Sequence, residues 1–203
     1  MNKRTFLFGS VALGLSGCSF FRPAPAVPVA QEGFIVRETP VAQNNMTAFL
    51  PEGDTIYMSG SINEDTTTGF AAVRAANPEA NRLVILQADG PSGSPAAIGF
   101  GRSVRAAGFS THLRNDSVIS GGAVDAFLGG TKRTIEEGAV IGAVRSQDVD
   151  AHKSFTTDMV GGDGYARFAD KFGGRRRPRA MTIAEIGAMG IVSANAGNVL
   201  AEN

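Results

Sequence analysis

The chain has 203 residues, 43% of them hydrophobic, with 19 Lys and Arg balancing 19 Asp and Glu to a formal net charge of zero. That balance excludes the strong positive field of a general nucleic-acid binder, and a single Cys excludes an intrachain disulfide. No Cys pair, no His pair at i, i+4 and no Gly-rich loop ending in Lys-Ser/Thr occurs, so neither a metal nor a cofactor is expected.

The amino terminus reads MNKRTFLFGSVALGLSGC. Lys3 and Arg4 precede an apolar run over residues 6–15, the layout of a secretory signal. The run is too short to span a bilayer, which takes about 20 apolar residues, and no later run is long enough. Leu15-Ser16-Gly17-Cys18 resembles a bacterial lipoprotein lipobox, with residues 1–17 as the signal and cleavage before Cys18. The resemblance implies a diacylglycerol on the Cys18 sulfur, and two or three acyl chains make a stable membrane anchor. An ordinary cleaved signal with an incidental Cys is the alternative. The expected location is the bacterial cell envelope, facing the periplasm. Ser19, where an Asp would favour retention at the inner membrane, tilts the expectation to the outer membrane. Losing the signal removes Lys3 and Arg4 but no acid, leaving 17 basic and 19 acidic residues.

Residues 18–45 are rich in Pro, Ala and Val, cannot build a core, and read as a semi-extended tether. Residues 46–203 fit one domain. Within it, residues 55–62 read as a strand and residues 68–76 as a short helix stopped at Asn77-Pro78. LVILQ over residues 83–87 has the continuous apolar pattern of a buried parallel strand. Ser94-Pro95 reads as an N-cap and first helical position, Ile98, Gly101, Val104 and Ala107 as one face, and Gly108 as the stop. A strand over residues 109–113, a helix over 123–128 ended by Gly129-Gly130, and a strand over 139–144 follow. Tyr165, Phe168, Ala169 and Phe172 share one face of a later helix. Thr182 and Glu185 form a capping box, and Gly190 a stop. Strand–helix alternation predicts an α/β fold with a largely parallel sheet and helices packed on it.

Two Gly-containing turns follow predicted strands: Asp89-Gly90-Pro91-Ser92-Gly93-Ser94 and Ser120-Gly121-Gly122. Ligands bind off the carboxyl ends of parallel strands. A Ser at one helix start, facing backbone N–H groups from another turn, is the arrangement acyl transfer needs. Ser120 could equally be a plain helix N-cap.

The run from Leu83 through Val144, with these two turns and Glu137-Gly138-Ala139-Val140-Ile141-Gly142, resembles the Clp-protease/crotonase superfamily. More narrowly it resembles the periplasmic Clp-protease-like proteins and, at Ser120-Gly121-Gly122, signal peptide peptidase A. MTIAEIGAMGIV near the carboxyl end resembles a segment of the periplasmic subgroup. The resemblance implies Ser120 as nucleophile, N–H groups at Ser92, Gly93 and Gly121 as oxyanion donors, and assembly into homo-oligomers. It also exposes departures. The catalytic His would fall near Val144 or Arg145, and neither is a base. Ser92 replaces a Gly. Asp125 stands where a small or apolar residue is usual, and needs either exposure or a partner, with Lys132, Arg133 or Arg145 available.

The remaining base candidates are His152, in an expected polar loop beside Asp148 and Asp150, and Lys171 or Lys153. Each has an ordinary solvated reading as well. His112 reads as a structural strand residue, and Arg175-Arg176-Arg177-Pro178-Arg179 as a solvated loop or a site for anionic lipid headgroups or an acidic partner. Two functions follow. One is a catalytically impaired, lipid-anchored domain that binds polypeptide or an envelope protein. The other is an active serine hydrolase using Ser120 with a displaced base.

Overall fold

The computed structural model of the protein describes residues 46–174 and 177–193. The signal with Cys18, the tether, Arg175 and Arg176 lie outside the described residues.

The chain enters as a hairpin, β1 (Ala48–Glu52) and β2 (Thr55–Ser61), paired antiparallel around Gly53. It continues through α1 (Thr66–Ala76), β3 (Arg82–Asp89), α2 (Pro95–Ala106), β4 (Ser110–Leu113), β5 (Val118–Ser120) and α3 (Gly122–Leu128). Then come β6 (Arg133–Ile135), β7 (Val140–Ala143), α4 (Val149–Val160), α5 (Gly164–Phe172), β8 (Arg179–Ala180) and α6 (Ile183–Ala188). Strands β2, β3, β5 and β7 lie side by side and parallel, flanked by antiparallel β1 and β8.

β3 forks the sheet. Its first half, Arg82 to Val84, pairs with β4, which pairs with β6; its second half, Gln87 and Ala88, pairs with β5. The bend between β4 and β5 is pinned at the fork. Ser117 N–H donates to Arg114 O at 3.0 Å and Ser117 Oγ donates to Ile85 O at 2.6 Å. A buried carbonyl at the split is thereby satisfied, which a gap in the ladder would otherwise leave unpaired.

One sheet face carries the core. Phe70 of α1 packs edge-on against Phe100 of α2 and against Phe109, with ring centroids 5.5 and 5.2 Å apart. Every residue of α3 is buried. Small residues let α2 cross it closely: a Cβ on Gly129 would fall 2.2 Å from Gly101 O. Ser94 caps α2 through Ala97 N–H at 3.2 Å with Pro95 at the first position, as its sequence predicts. The Thr182–Glu185 capping box opens α6, and Gly190 turns beyond its end with φ of +64°.

Four strands escape the pattern reading: β1, β5, β6 and β8. β5 and β6 have three residues each, too few to show alternation. The reading of residues around 148–153 as a polar loop is corrected. They begin α4, capped by Asp148, whose side chain accepts Ala151 N–H at 2.9 Å. Its buried face is His152, Phe155 and Thr156, and two polar residues of three erase the apolar period.

Candidate functional site

The carboxyl ends of β2, β3 and β5 carry Ser61, Asp89 and Ser120 in a row across the sheet. Ser61 pairs with Asp89 in register, and Ser120 with Gly142. All three line an open groove of about 350 Å³, together with Gly60 and Val118. A continuation of about 360 Å³ runs past Pro91, Val144 and Arg177. The sequence gives Ser61 no site role and names Asp89 only as the opening residue of the first turn. The signal was their place as last residues of strands next to a suspected nucleophile.

The two Gly-containing turns meet at this rim. Gly122 N–H donates to Gly90 O at 2.8 Å. Gly121 has φ of +55° and ψ of −123°, and a Cβ on it would fall 2.1 Å from Gly90 O. Ser120 is not the helix N-cap. It ends β5, half-buried at the groove, and Gly121 takes the N-cap position.

Of the amides expected as oxyanion donors, those of Gly93 and Gly121 have acceptors inside the fold. Ser92, Gly93 and Gly121 are all buried. Gly93 N–H donates to Asp125 Oδ2 at 2.8 Å. Gly121 N–H donates to Gly142 O over a longer 3.4 Å. An oxyanion hole instead needs such donors unengaged and aimed at the developing charge.

Asp125 belongs to a buried relay. Its Oδ1 accepts His152 Nε2–H at 2.7 Å, with both side chains fully buried. In the neutral ring Nδ1 then accepts the Ser146 hydroxyl, 2.5 Å away. Tyr165 packs edge-on against the His152 ring, centroids 5.5 Å apart. Burial, then the Asp125 charge, push the Tyr165 pKa well above its ordinary value, against the opposing effect of the Ser92 hydroxyl. The Tyr165 and Ser92 hydroxyls nevertheless meet no partner in hydrogen-bond geometry. Nothing in the sequence singled out Ser146, an isolated loop residue.

The expected cationic partners of Asp125 are therefore replaced by His152. Arg133 instead donates to the carbonyls of Gly130 and Ile191 at 2.9 Å, and Arg145 stands 4.0 Å from Asp170. Burial, followed by the charge of Arg105, lowers the Arg133 pKa. A carboxylate inside the fold needs a close partner that fits without a long side chain, and an imidazole from α4 supplies it.

None of the three base candidates hydrogen-bonds Ser120. Both His152 nitrogens are engaged by Ser146 and Asp125. Lys153, on α4 rather than in a loop, pairs with Asp150 at 3.4 Å, and Lys171 lies over the Phe172 ring at 5.0 Å. Val144, where the aligned His would fall, forms a backbone bridge to Gly174. His112 sits between Thr134 and Glu136, at 2.7 and 3.1 Å. Among the described residues no three acidic, His or Cys side chains gather as a metal site, and no helix is long and apolar enough to cross a membrane.

No family model and no curated protein matches the chain. Solved structures do match, by fold. An enoyl-CoA hydratase of Thermoplasma volcanium is similar with a TM-score of 0.50 and 14% identity, over 73% of this chain and 71% of that one. An enoyl-CoA hydratase of Bacillus subtilis, ascribed to polyketide biosynthesis, is similar with a TM-score of 0.51 and 9% identity, over 76% and 73%. For an enoyl-CoA hydratase of Streptomyces avermitilis the shared part is 66% of its length. The domain thus has the crotonase-like α/β fold, the architecture that the Clp proteases share, and at such identities the likeness concerns fold alone.

Proposed function

We propose that this protein is an envelope lipoprotein, anchored through Cys18 and facing the periplasm, whose crotonase-like domain lacks acyl-transfer activity and binds polypeptide or an envelope partner in the Ser61–Asp89–Ser120 groove. The outer membrane is its favoured site. One contact carries the reading: Asp125, a built-in carboxylate, accepts the Gly93 N–H at 2.8 Å inside the fold. A ligand oxyanion would have to displace it from a buried position. The same argument weighs against hydration of an enoyl thioester, since that reaction also builds negative charge on a carbonyl oxygen.

The groove supports the binding half. It is open, lined by hydroxyls, a carboxylate and the half-exposed Val118. A second reading, a serine hydrolase, draws on Ser120, which lines that groove. A fluorophosphonate probe separates the two. No labelling is expected under conditions that label an active serine peptidase. Labelling lost in Ser120→Ala would replace the binding reading with the hydrolase. For the binding half, a partner retained by Ser120→Ala should be lost in Val118→Arg, which fills the groove; equal capture by both variants would place binding elsewhere. Acylation of Cys18 is read from the mass of the mature protein, and an unmodified thiol there rejects the anchor.

A further inference from the structure

We propose that the groove at the strand ends selects its polypeptide by sequence, taking an extended segment of the form apolar-x-Lys or apolar-x-Arg with the cation on Asp89. This names the occupant of the binding reading above and rests on that reading. The outer face of the sheet carries the pattern. Ala88, Ile119 and Ile141 lie in register across β3, β5 and β7, and all three are buried in the core. Their neighbours along each strand face the other way. One step back stand Gln87, Val118 and Val140, again in register, with Val118 47% and Val140 38% exposed. One step on stand Asp89 and Ser120, with Ser61 paired to Asp89 and Gly142 to Ser120. Parallel sheets ordinarily bury both faces, so two bare valines side by side on this one are an unpartnered apolar strip.

The apolar row and the polar row are two residues apart on each strand, about 6.6 Å. Alternate side chains of an extended polypeptide have the same spacing. A segment lying along β5 therefore sets one side chain on Val118 and Val140, and the next but one among Ser61, Asp89 and Ser120. That second position calls for positive charge. Asp89 is exposed, lines both parts of the groove, and forms no ion pair with a described residue. Ser61, Ser120 and Gly142 beside it are small, so a long cationic side chain reaches the carboxylate. The fold keeps Gly142 small, since a Cβ there would fall 2.6 Å from Pro178 Cβ. Arg177, the other charged group on the groove, lines only the continuation past Pro91 and likewise has no ion pair with a described residue. It repels a second cation there and so fixes the positive residue at the Asp89 end. A small amine would use the polar row alone; a polypeptide uses both rows.

The mature protein, in detergent, is titrated with the fluorescein-labelled peptide Gly-Ala-Val-Ala-Lys-Ala-Gly and binding is read by anisotropy. Control peptides carry norleucine or glutamate in place of lysine, or lysine moved one residue towards the valine. The parent peptide should bind about fivefold more tightly than the norleucine peptide, the worth of one exposed ion pair. The glutamate peptide should bind most weakly, and the shifted lysine, turned to the other side of the strand, should lose the advantage. Salt near about 1 M, where screening reaches about 3 Å, should remove the preference. Asp89→Asn should bind the lysine and norleucine peptides equally. Equal binding of those two peptides by the parent protein overturns the proposal, as does a preference that survives Asp89→Asn or the absence of binding by any peptide. A linear diamine that binds as tightly as the lysine peptide overturns the commitment to a polypeptide. The capture experiment above separates this proposal from the reading beneath it. A partner lost in Val118→Arg but held normally by Asp89→Asn keeps the groove and rejects the cation rule, whereas a partner held by Val118→Arg rejects the groove itself.

Discussion

Asp125 Oδ1 and His152 Nε2 meet at 2.7 Å with neither side chain exposed to solvent. The pair ties α3 to α4, and through Asp125 Oδ2 it also holds the turn after β3. Removing one partner strands the rest: Asp125→Ala leaves the Gly93 N–H and the imidazole N–H buried without acceptors. A loss of about 3–5 kcal/mol is expected. Asp125→Asn keeps an acceptor for Gly93 and should cost less, about 1–3 kcal/mol. Asp125→Leu with His152→Leu should cost less than the two separately, by about 0.5–3 kcal/mol. Urea unfolding with an unchanged slope checks all three. Strict additivity of the Leu variants would mean that the two side chains are not energetically coupled.

Tyr165 offers the opposite case within the same cluster. Its hydroxyl is buried and meets no partner in hydrogen-bond geometry. Tyr165→Phe removes a group that is desolvated without compensation, and leaves the packing against His152. Stability within about 1 kcal/mol of the parent, or above it, is expected. A loss comparable to that of Asp125→Ala would show that the hydroxyl is a working member of the relay.

Why the sequence conveyed the sheet better than this cluster follows from what each depends on. LVILQ, Ser94-Pro95 and Thr182–Glu185 carry their structure locally, in apolar runs and caps, and each formed the element it predicted. The meeting of the two Gly-containing turns was legible because parallel strands end at one rim. The relay was not legible. Asp125, Ser146 and His152 come from three separate segments, and His152 with Thr156 gave the inner face of α4 the look of a solvated loop. The partner of Asp125 was sought among cations by charge, whereas burial favoured a short imidazole already held by Ser146.

Acid should loosen the forked part of the sheet through Glu136 and Asp116. Burial tends to raise the Glu136 pKa, but the Asn115 amide, His112 and Arg114 outweigh it and leave it below the ordinary 4.5. The Arg114 hydrogen bond holds Asp116 below 3.8, against the smaller effect of burial. A carboxyl depressed in the folded state stabilises fully above its unfolded value, and that stabilisation disappears as pH falls through the folded value. Thermal stability should therefore decline from about pH 4.5 downward. Both groups are largely exposed, so screening limits each to less than about 1 kcal/mol. Glu136→Gln should flatten its share of the decline in a series of melting curves. An identical acid slope in the variant would assign the loss to other groups.

Gly121 is where the rim leaves least room. With φ of +55° and ψ of −123°, it occupies backbone space that side-chain-bearing residues avoid, and a Cβ would fall 2.1 Å from Gly90 O. The two effects act together in Gly121→Ala. Strain in such a region costs of order 1–3 kcal/mol. The clash is with a backbone oxygen that accepts the Gly122 N–H, so relief must come from separating the two turns. Gly99→Ala is the control, since it lies on exposed α2 surface with open space around its Cβ, and there Ala is the better helix former. Denaturant midpoints should move in opposite directions, down for Gly121→Ala and up by a few tenths of a molar at most for Gly99→Ala. A Gly121→Ala protein as stable as the parent would mean that the turns are not pressed together as described, and the Gly93–Asp125 contact beneath them would lose its support.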